Sequence, residues 1–351
     1  MEEIEIKQDL SFRIIQKCLT VDELVNGTEP DYFNSETTEG YQRKIVKKHC
    51  DRIIDYIMNN PFFFPSPVIC STRENPNGKL WVVDGQHRIE AFRIIKESNP
   101  EKYEAIKQNT LPVIELIKPD LKTEIQTFIA INKKGRKVDT SLAFVLQNKP
   151  RGEHDFETSK KARINYLIAG LAITINDNDD DLFSKYEETI WENEITYEDN
   201  PKREGKLISI SAFARAEYPL INKLMACGVI PIEWENTDEK NKEVEDLILK
   251  LFMFKWSLIK HKWSQLFTLD KTSRAIIQGP IGCASLNKFI IRAILNGNKV
   301  KSEKEYLENL EYIFSILNVD SINWLKGEKY SSYSSEAGYS IIAEDLCNNL
   351  F

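Results

Sequence analysis

The first 145 residues alternate short apolar runs of strand character with longer stretches whose apolar residues recur at helical spacing. The predicted strands are 67–71, 80–83 and 111–117, and the predicted helices are 41–58, 89–97 and 122–130. The turn-forming residues 74–78 join the first two strands into a hairpin. This alternation of short strands and helices predicts an α+β domain.

The pattern changes in the second half of the chain. Helical spacing recurs in several segments up to residue 316, and strand signals nearly vanish. We therefore predict two domains, a mixed α+β domain over residues 1–145 and a mostly α-helical domain over residues 146–351.

The join between the strand 80–83 and the following helix holds the sequence Asp84-Gly85-Gln86-His87-Arg88. Gly85 permits a sharp turn. The free N–H groups and the dipole of the helix start then favour an anion. Arg88 adds a forked cation suited to phosphate, and His87 adds a donor or a proton-transfer group. We predict a phosphate site here, against the alternative that Asp84 caps the helix and Arg88 pairs with a surface carboxylate.

Two further segments are candidates for the same site. Asn132 and the basic residues Lys133, Lys134 and Arg136 follow a predicted helix, and their cations could reach other phosphates of a nucleotide. Gln42 and Arg43 open the predicted helix 41–58 and could face the same pocket. The alternative for both segments is an ordinary polar surface.

Hydrolysis of a bound nucleoside triphosphate would need a metal ion and a group that positions water. Asp84 is the candidate for a Mg²⁺ contact or for water orientation, and it could equally cap the helix. His87 could act as an acid or base, or only donate to a phosphate oxygen. The sequence contains no P-loop motif.

Composition and charge indicate how the protein could contact DNA and in which compartment it is expected. The 351 residues carry a net charge of −7, so DNA contacts are expected from local basic patches or through a partner subunit. The six cysteines are scattered and indicate reduced thiols. An acidic N-terminus and the lack of a long apolar run predict a cytoplasmic protein without a membrane segment.

Four segments carry a resemblance to a known family: residues 40–43, 64–69, 84–88 and 128–135. In this order they resemble the bacterial DGQHR-domain family of the ParB and sulfiredoxin-like group. That family includes the B components of DNA phosphorothioation systems (DndB-like) and of 7-deazaguanine DNA-modification systems (DpdB-like). The resemblance implies a ParB/sulfiredoxin-like domain with an anion-binding strand, turn and helix in the first half of the chain.

The resemblance also implies functions. The first is a component that binds and hydrolyses a nucleotide, with ATP and Mg²⁺ expected, in a bacterial DNA-modification or anti-phage defence system. Its expected partners are DNA (direct or through another subunit), a DNA-modifying enzyme subunit and further copies of the chain. The alternative is a DNA-binding transcriptional regulator of a DNA-modification operon, as implied by the DndB-like proteins, and a third reading is a ParB-like nuclease.

Overall fold

A computed structural model describes residues 3–6, 12–34, 37, 39–132, 140–148, 159–177, 190–268, 270–296 and 300–350. The chain divides into two compact units, Met1–Val138 and Asp139–Phe351. The sequence places the boundary after residue 145, which lies within a helix, Thr140–Asn148. The first unit is a mixed sheet with helices and the second is mainly helical, so the predicted fold class is confirmed.

The first unit is built on a six-stranded sheet with the strand order β1-β2-β6-β4-β5-β3. The strands are β1 (Ile4–Ile6), β2 (Arg13–Thr20), β3 (Thr28–Pro30), β4 (Val68–Ser71), β5 (Leu80–Asp84) and β6 (Thr110–Ile117). β2 pairs antiparallel with β6, and β6 lies parallel to β4. β4 and β5 form the predicted antiparallel hairpin, and β5 also pairs in parallel with β3. Trp81 and Val82 of β5 are therefore paired on both sides, and Asp84 at its end pairs with Ile69 of β4.

The helices of the first unit are α1 (Val21–Gly27), α2 (Lys47–Asn59), α3 (Gln86–Ser98), α4 (Pro100–Ile106) and α5 (Leu121–Asn132). α3 buries Ile89, Phe92 and Ile95 at the spacing that the sequence shows. The Phe92 ring lies 6.0 Å from that of Phe62 and 5.8 Å from that of Phe64. Each such buried side chain contributes about 1.5–3 kcal/mol. The helix is therefore anchored along its length, and its first turn has a fixed position.

Two predictions for this unit were wrong in detail. The helix predicted from residue 41 begins at Lys47, because the preceding residues are extended and Gln42 bridges in parallel to Tyr32. The second error is an omission: no helix was predicted between residues 97 and 111, where the structure has α4. Its start has a clear sequence signature, since the Asn99 side chain accepts a hydrogen bond from the Lys102 N–H at 3.0 Å and proline occupies the first helical position.

The second unit is a helical assembly. Its helices are α6 (Thr140–Asn148), α7 (Lys160–Asn176), α8 (Ile210–Cys227), α9 (Asp238–Lys262), α10 (Ser264–Thr268), α11 (Pro280–Ile290), α12 (Glu303–Ile316) and α13 (Glu336–Asn348), with two short parallel strands, β7 (Ile195–Thr196) and β8 (Ile208–Ser209). Its core contains a buried Lys255 ammonium that donates to both Glu217 oxygens at 2.9 Å and to Asn287 Oδ1 at 3.0 Å. All three donors are used, so this buried charge is fully paired.

Across the ranges that the structure describes, no helix is both long enough and apolar enough to span a bilayer.

Candidate anion-binding site

A single residue, Gly85, makes the turn between β5 and α3. Its φ of +99° and ψ of 8° lie in the left-handed region, which L side chains rarely adopt. A Cβ at this position would lie 3.0 Å from Arg88 Nη2 and 3.2 Å from Val68 Cγ2. Both the conformation and the tight surroundings therefore require glycine. The Gly85 carbonyl accepts from the N–H groups of Arg88 and Ile89 and starts the helix.

The Arg88 guanidinium is held by the backbone just before β4. Nη2 donates to the Pro67 carbonyl at 2.7 Å, and Nη1 donates to the Ser66 carbonyl. Burial lowers the pKa of Arg88, and the nearby Asp84 carboxylate opposes that shift. The group remains charged at any physiological pH. Both hydrogen-bond acceptors are uncharged and orient the cation, whose nearby carboxylate is that of Asp84.

The segment 40–43 lies against the end of β5. The buried Gln42 side chain donates through Nε2 to the Val82 carbonyl and, at 3.2 Å, to the Val83 carbonyl. Its backbone N–H donates to the Asp31 carbonyl at 2.8 Å. Gly40 allows this course, since a Cβ there would lie 2.0 Å from the Tyr32 carbonyl oxygen. Gln42 thus fixes the strand that carries the turn, and its predicted contact with a phosphate stays a prediction.

Histidines connect the start of α3 with the start of α2. The Val46 N–H donates to His87 Nε2 at 3.3 Å. The rings of His87 and His49 meet edge to face, with their centroids 5.4 Å apart. Because Nε2 accepts in the bond from Val46, a neutral His87 carries its proton on Nδ1. The two helices therefore begin side by side.

Neither of these helix starts has a side-chain cap. The N-cap residues are Val46 for α2 and Gly85 for α3, and neither first turn contains an acidic residue. Instead, the exposed Lys47 and Lys48 open α2, and the exposed Lys44 precedes it. The positive ends of two helix dipoles therefore lie together beside exposed lysines, with no carboxylate in either first turn. Such an arrangement suits an anion with several negative charges.

A buried ion-pair network ties the segment 40–43 to α5. Glu124, which is fully buried, accepts from the Tyr41 hydroxyl at 2.7 Å and from Arg73 Nε at 3.1 Å. Arg73 also donates to Asp31 at 2.6 Å. Burial, reinforced by the Glu124 charge, raises the pKa of Tyr41 well above its ordinary value. The Phe128 ring on α5 packs edge to face on Tyr41. Arg73 and Glu124 were not predicted from the sequence; an acidic residue on the apolar side of α5 was the available signal.

The other predicted residues are placed as follows. Asn132 ends α5, and its side chain donates to the Phe128 carbonyl at 2.8 Å. Arg43 is half-buried in the segment beside β5. Lys133, Lys134 and Arg136 lie outside the described residues. Of the four segments behind the resemblance, 40–43, 64–69 and 84–88 therefore meet at the turn, and the described part of the fourth reaches the first through Phe128.

Asp84 is half-buried at the end of β5. Within the described part of the chain its carboxylate accepts no hydrogen bond from another residue, and the N-cap position of α3 is occupied by Gly85. No group of three or more His, Cys, Asp or Glu side chains in that part is arranged to hold a metal. Mg²⁺ often takes only one or two protein carboxylates together with substrate phosphates. A lone carboxylate beside a phosphate site fits that mode, so the Mg²⁺ contact stays a prediction.

A protein-family model matches part of the chain. Residues 74–153 match the family model DndB, described as DNA-sulfur modification-associated. The matched stretch covers well under half of the chain but contains the turn 84–88 and the segment 128–135. The resemblance to DndB-type proteins is therefore confirmed over this stretch.

The structural comparison is weaker. The C-terminally truncated chromosome-partitioning protein ParB from Caulobacter crescentus, complexed with CTP-γ-S, is 12% identical in sequence. The alignment covers 50% of this chain and 87% of that ParB chain, with a TM-score of 0.23, a value that does not establish a shared fold. No curated protein sequence matches the chain.

Proposed function

We propose that the turn at residues 84–88 binds the phosphates of a nucleotide, with ATP as the expected one, and that the protein is a nucleotide-dependent component of a DNA-modification system. One observation carries the nucleotide part: α2 and α3 begin side by side without carboxylate caps, among exposed lysines. Several phosphates would satisfy both helix starts at once. The match to a family associated with DNA-sulfur modification supports the system in which the protein acts.

Each residue has a proposed part in binding. The backbone of Gly85, Gln86 and His87 contacts one phosphate, while Arg88 supplies the oriented positive charge. Arg43 and Lys48 reach a second phosphate from the α2 side. The further proposed phosphate ligands are Gln42, Asn132, Lys133, Lys134 and Arg136.

We further propose that the bound nucleotide is hydrolysed. Asp84 would hold Mg²⁺ or orient the attacking water, and a bound ion would neutralise charge on the phosphate oxygens. His87 donates to a phosphate oxygen or transfers a proton. A DNA-modifying enzyme subunit and further copies of the chain are the proposed protein partners, through which the cycle would act on DNA.

Binding is tested by calorimetry with ATP and Mg²⁺ on the full chain. Lys48→Glu introduces a carboxylate at the second residue of α2 and should weaken binding about tenfold or more, because it both removes a cation and occupies the helix start. Lys122→Glu is the matched control: it makes the same change at the second residue of α5 and should leave binding unchanged. Absence of ATP binding by the unmodified protein would refute the proposal.

Phosphate release on the same samples separates binding from hydrolysis. Asp84→Asn should retain binding and lose most of the release, since the amide keeps the shape but not the charge that Mg²⁺ needs. Binding without release in the unmodified protein would leave a nucleotide-binding protein and remove Asp84 and His87 from the catalytic residues.

A second candidate function is DNA-binding regulation of a modification operon. The observation in its favour is the row of exposed cations on α2 and just before it, Lys44, Lys47, Lys48 and Arg52. Such a row could follow a DNA backbone. In that case Lys48→Glu would weaken binding of double-stranded DNA with a shallower salt dependence, and ATP would compete with the DNA.

A further inference from the structure

A cleft in the second unit lies between α6, α7 and α8 and encloses about 480 Å³. Lys161 and Asn165 line it from α7, four residues apart, and Arg215 and Tyr218 line it from α8, three residues apart. These spacings place each pair on one face of its helix. Two short rows of polar side chains therefore border the same space.

The polar groups at the floor of the cleft form hydrogen bonds with one another. Asp199 accepts from the backbone N–H and the hydroxyl of both Thr140 and Ser141, at 2.9–3.0 Å, and so caps the start of α6. The Ser141 hydroxyl continues to Ser211 at 3.0 Å, and Ser211 contacts Ser209 at 3.2 Å. Asp199, the one carboxylate among the described residues that line the cleft, is thus already used by the helix it caps.

The polar side chains on the walls of the cleft differ from those of the floor in their hydrogen bonding. Among the described residues, the side chains of Lys161, Asn165, Arg215 and Tyr218 form no hydrogen bond or ion pair with another residue. Lys161 and Arg215 are exposed, and Tyr218 is half-buried. Two cations with no carboxylate partner in the described part of the chain, beside a half-buried aromatic ring, are notable in a chain with a net charge of −7. They point to an anionic ligand that also carries a flat ring.

We propose that this cleft binds a short segment of single-stranded nucleic acid. Lys161 and Arg215 pair with phosphates, and a base stacks on Tyr218, which is the combination that single-strand sites use. Asn165 can bond the edge of that base. The bases of a duplex are stacked on their neighbours and cannot reach the ring. The volume accommodates a nucleotide-sized group. The proposal concerns the second unit and does not depend on the nucleotide site of the first.

The test is fluorescence anisotropy of a labelled 20-mer oligothymidylate titrated with the full chain at several salt concentrations. Lys161→Glu/Arg215→Glu should weaken binding about tenfold or more and make the salt dependence shallower by about 1.4, the value for two phosphate contacts on a single strand. Lys304→Glu/Lys326→Glu, which makes the same charge change at exposed lysines elsewhere in this unit, should weaken binding less than about threefold.

A second variant pair tests stacking apart from charge. Tyr218→Ala should weaken binding about fivefold or more, and Tyr218→Phe should not, because the ring rather than the hydroxyl contacts the base. Thermal melting confirms that each variant is folded.

Four outcomes would overturn the proposal: no binding by the unmodified protein at low salt, equal loss in both double variants, tighter binding of a duplex of the same length, or displacement by ATP at equal phosphate concentration. If Lys48→Glu weakened oligothymidylate binding as much as Lys161→Glu/Arg215→Glu does, the single-strand site would likewise belong to the first unit.

Discussion

The helices of the candidate site and those of the helical unit begin in opposite ways. α7, α8, α12 and α13 start after Ser159, Ser209, Ser302 and Ser335, and each serine side chain accepts a hydrogen bond from the third helical N–H. α2 and α3 start after Val46 and Gly85 and have no such bond. α11 also lacks one after Gly279, but its first residue is a proline, which removes a donor.

The difference has an energetic meaning. A side-chain cap stabilises a helix by about 1 kcal/mol, and lysines in a first turn oppose the helix dipole. The start of α2 therefore forgoes stability that the serine-capped helices obtain. A bound polyanion, as proposed for this site, would supply the missing interactions.

The largest effect is expected from Gly85→Ala. The left-handed backbone and the contact with Arg88 should cost about 1–3 kcal/mol and abolish ATP binding, because the turn can no longer direct the first N–H groups. Thermal unfolding and calorimetry measure the two effects. Gly78→Ala is the control, since Gly78 has a φ of +66° but open space around it. It should cost about 1 kcal/mol of backbone strain and leave binding intact; equal binding by both variants would contradict the assignment of the turn.

An intermediate effect is expected from Val46→Asp, which gives α2 the cap it lacks. The exposed position tolerates the change, and the free energy of unfolding should rise by about 1 kcal/mol while ATP affinity falls several-fold. Urea unfolding measures the rise in the free energy of unfolding, and calorimetry on the same sample measures the loss of ATP affinity. Removal of a working cap by Ser302→Ala should instead lower stability by about 1 kcal/mol without altering ATP binding. If Val46→Asp strengthened binding, the start of α2 would not face the anion.

The smallest effect is expected in the pH dependence of the free energy of unfolding, through Asp120 beside α5. Its carboxylate accepts from the Thr123 N–H at 2.6 Å. Hydrogen bonds from the Thr123 backbone and then its side chain lower the pKa of Asp120 below 3.8. The carboxylate therefore contributes stability above the unfolded pKa, and that contribution is lost as the pH falls through the folded pKa. Asp120→Asn should reduce the loss of stability between about pH 5 and pH 2.5, measured as urea midpoints. A difference between the two proteins that stays constant with pH would contradict this.

The local features of the site could be predicted because they depend on neighbouring residues. The hairpin that ends in β5, the glycine turn and the apolar side of α3 all follow from spacing and from Gly85. The start of α2 could not be predicted in this way, since helical spacing extends back to Tyr41. Pairing of Gln42 with Tyr32 and with the end of β5 keeps these residues extended.

The use of individual side chains was harder to predict. Arg88 is typical of a phosphate ligand by residue type, yet its guanidinium is oriented by the Ser66 and Pro67 carbonyls. Arg73 and Glu124 are 51 residues apart in sequence and meet inside the unit. Long-range pairs of this kind leave no periodic trace in the chain, because hydrogen bonds depend on distance in space.

The sequence by itself determined the class of the two halves and the position of the strand, turn and helix at 80–98, and from it the anion site at that turn was predicted. Each depends on backbone propensity and residue chemistry over a few neighbours. The tertiary structure decided that α2 begins beside α3, that His87 bonds Val46, and that Lys161 and Arg215 border one cleft. These depend on how sheet pairing and helix packing bring distant segments together, which no local pattern encodes.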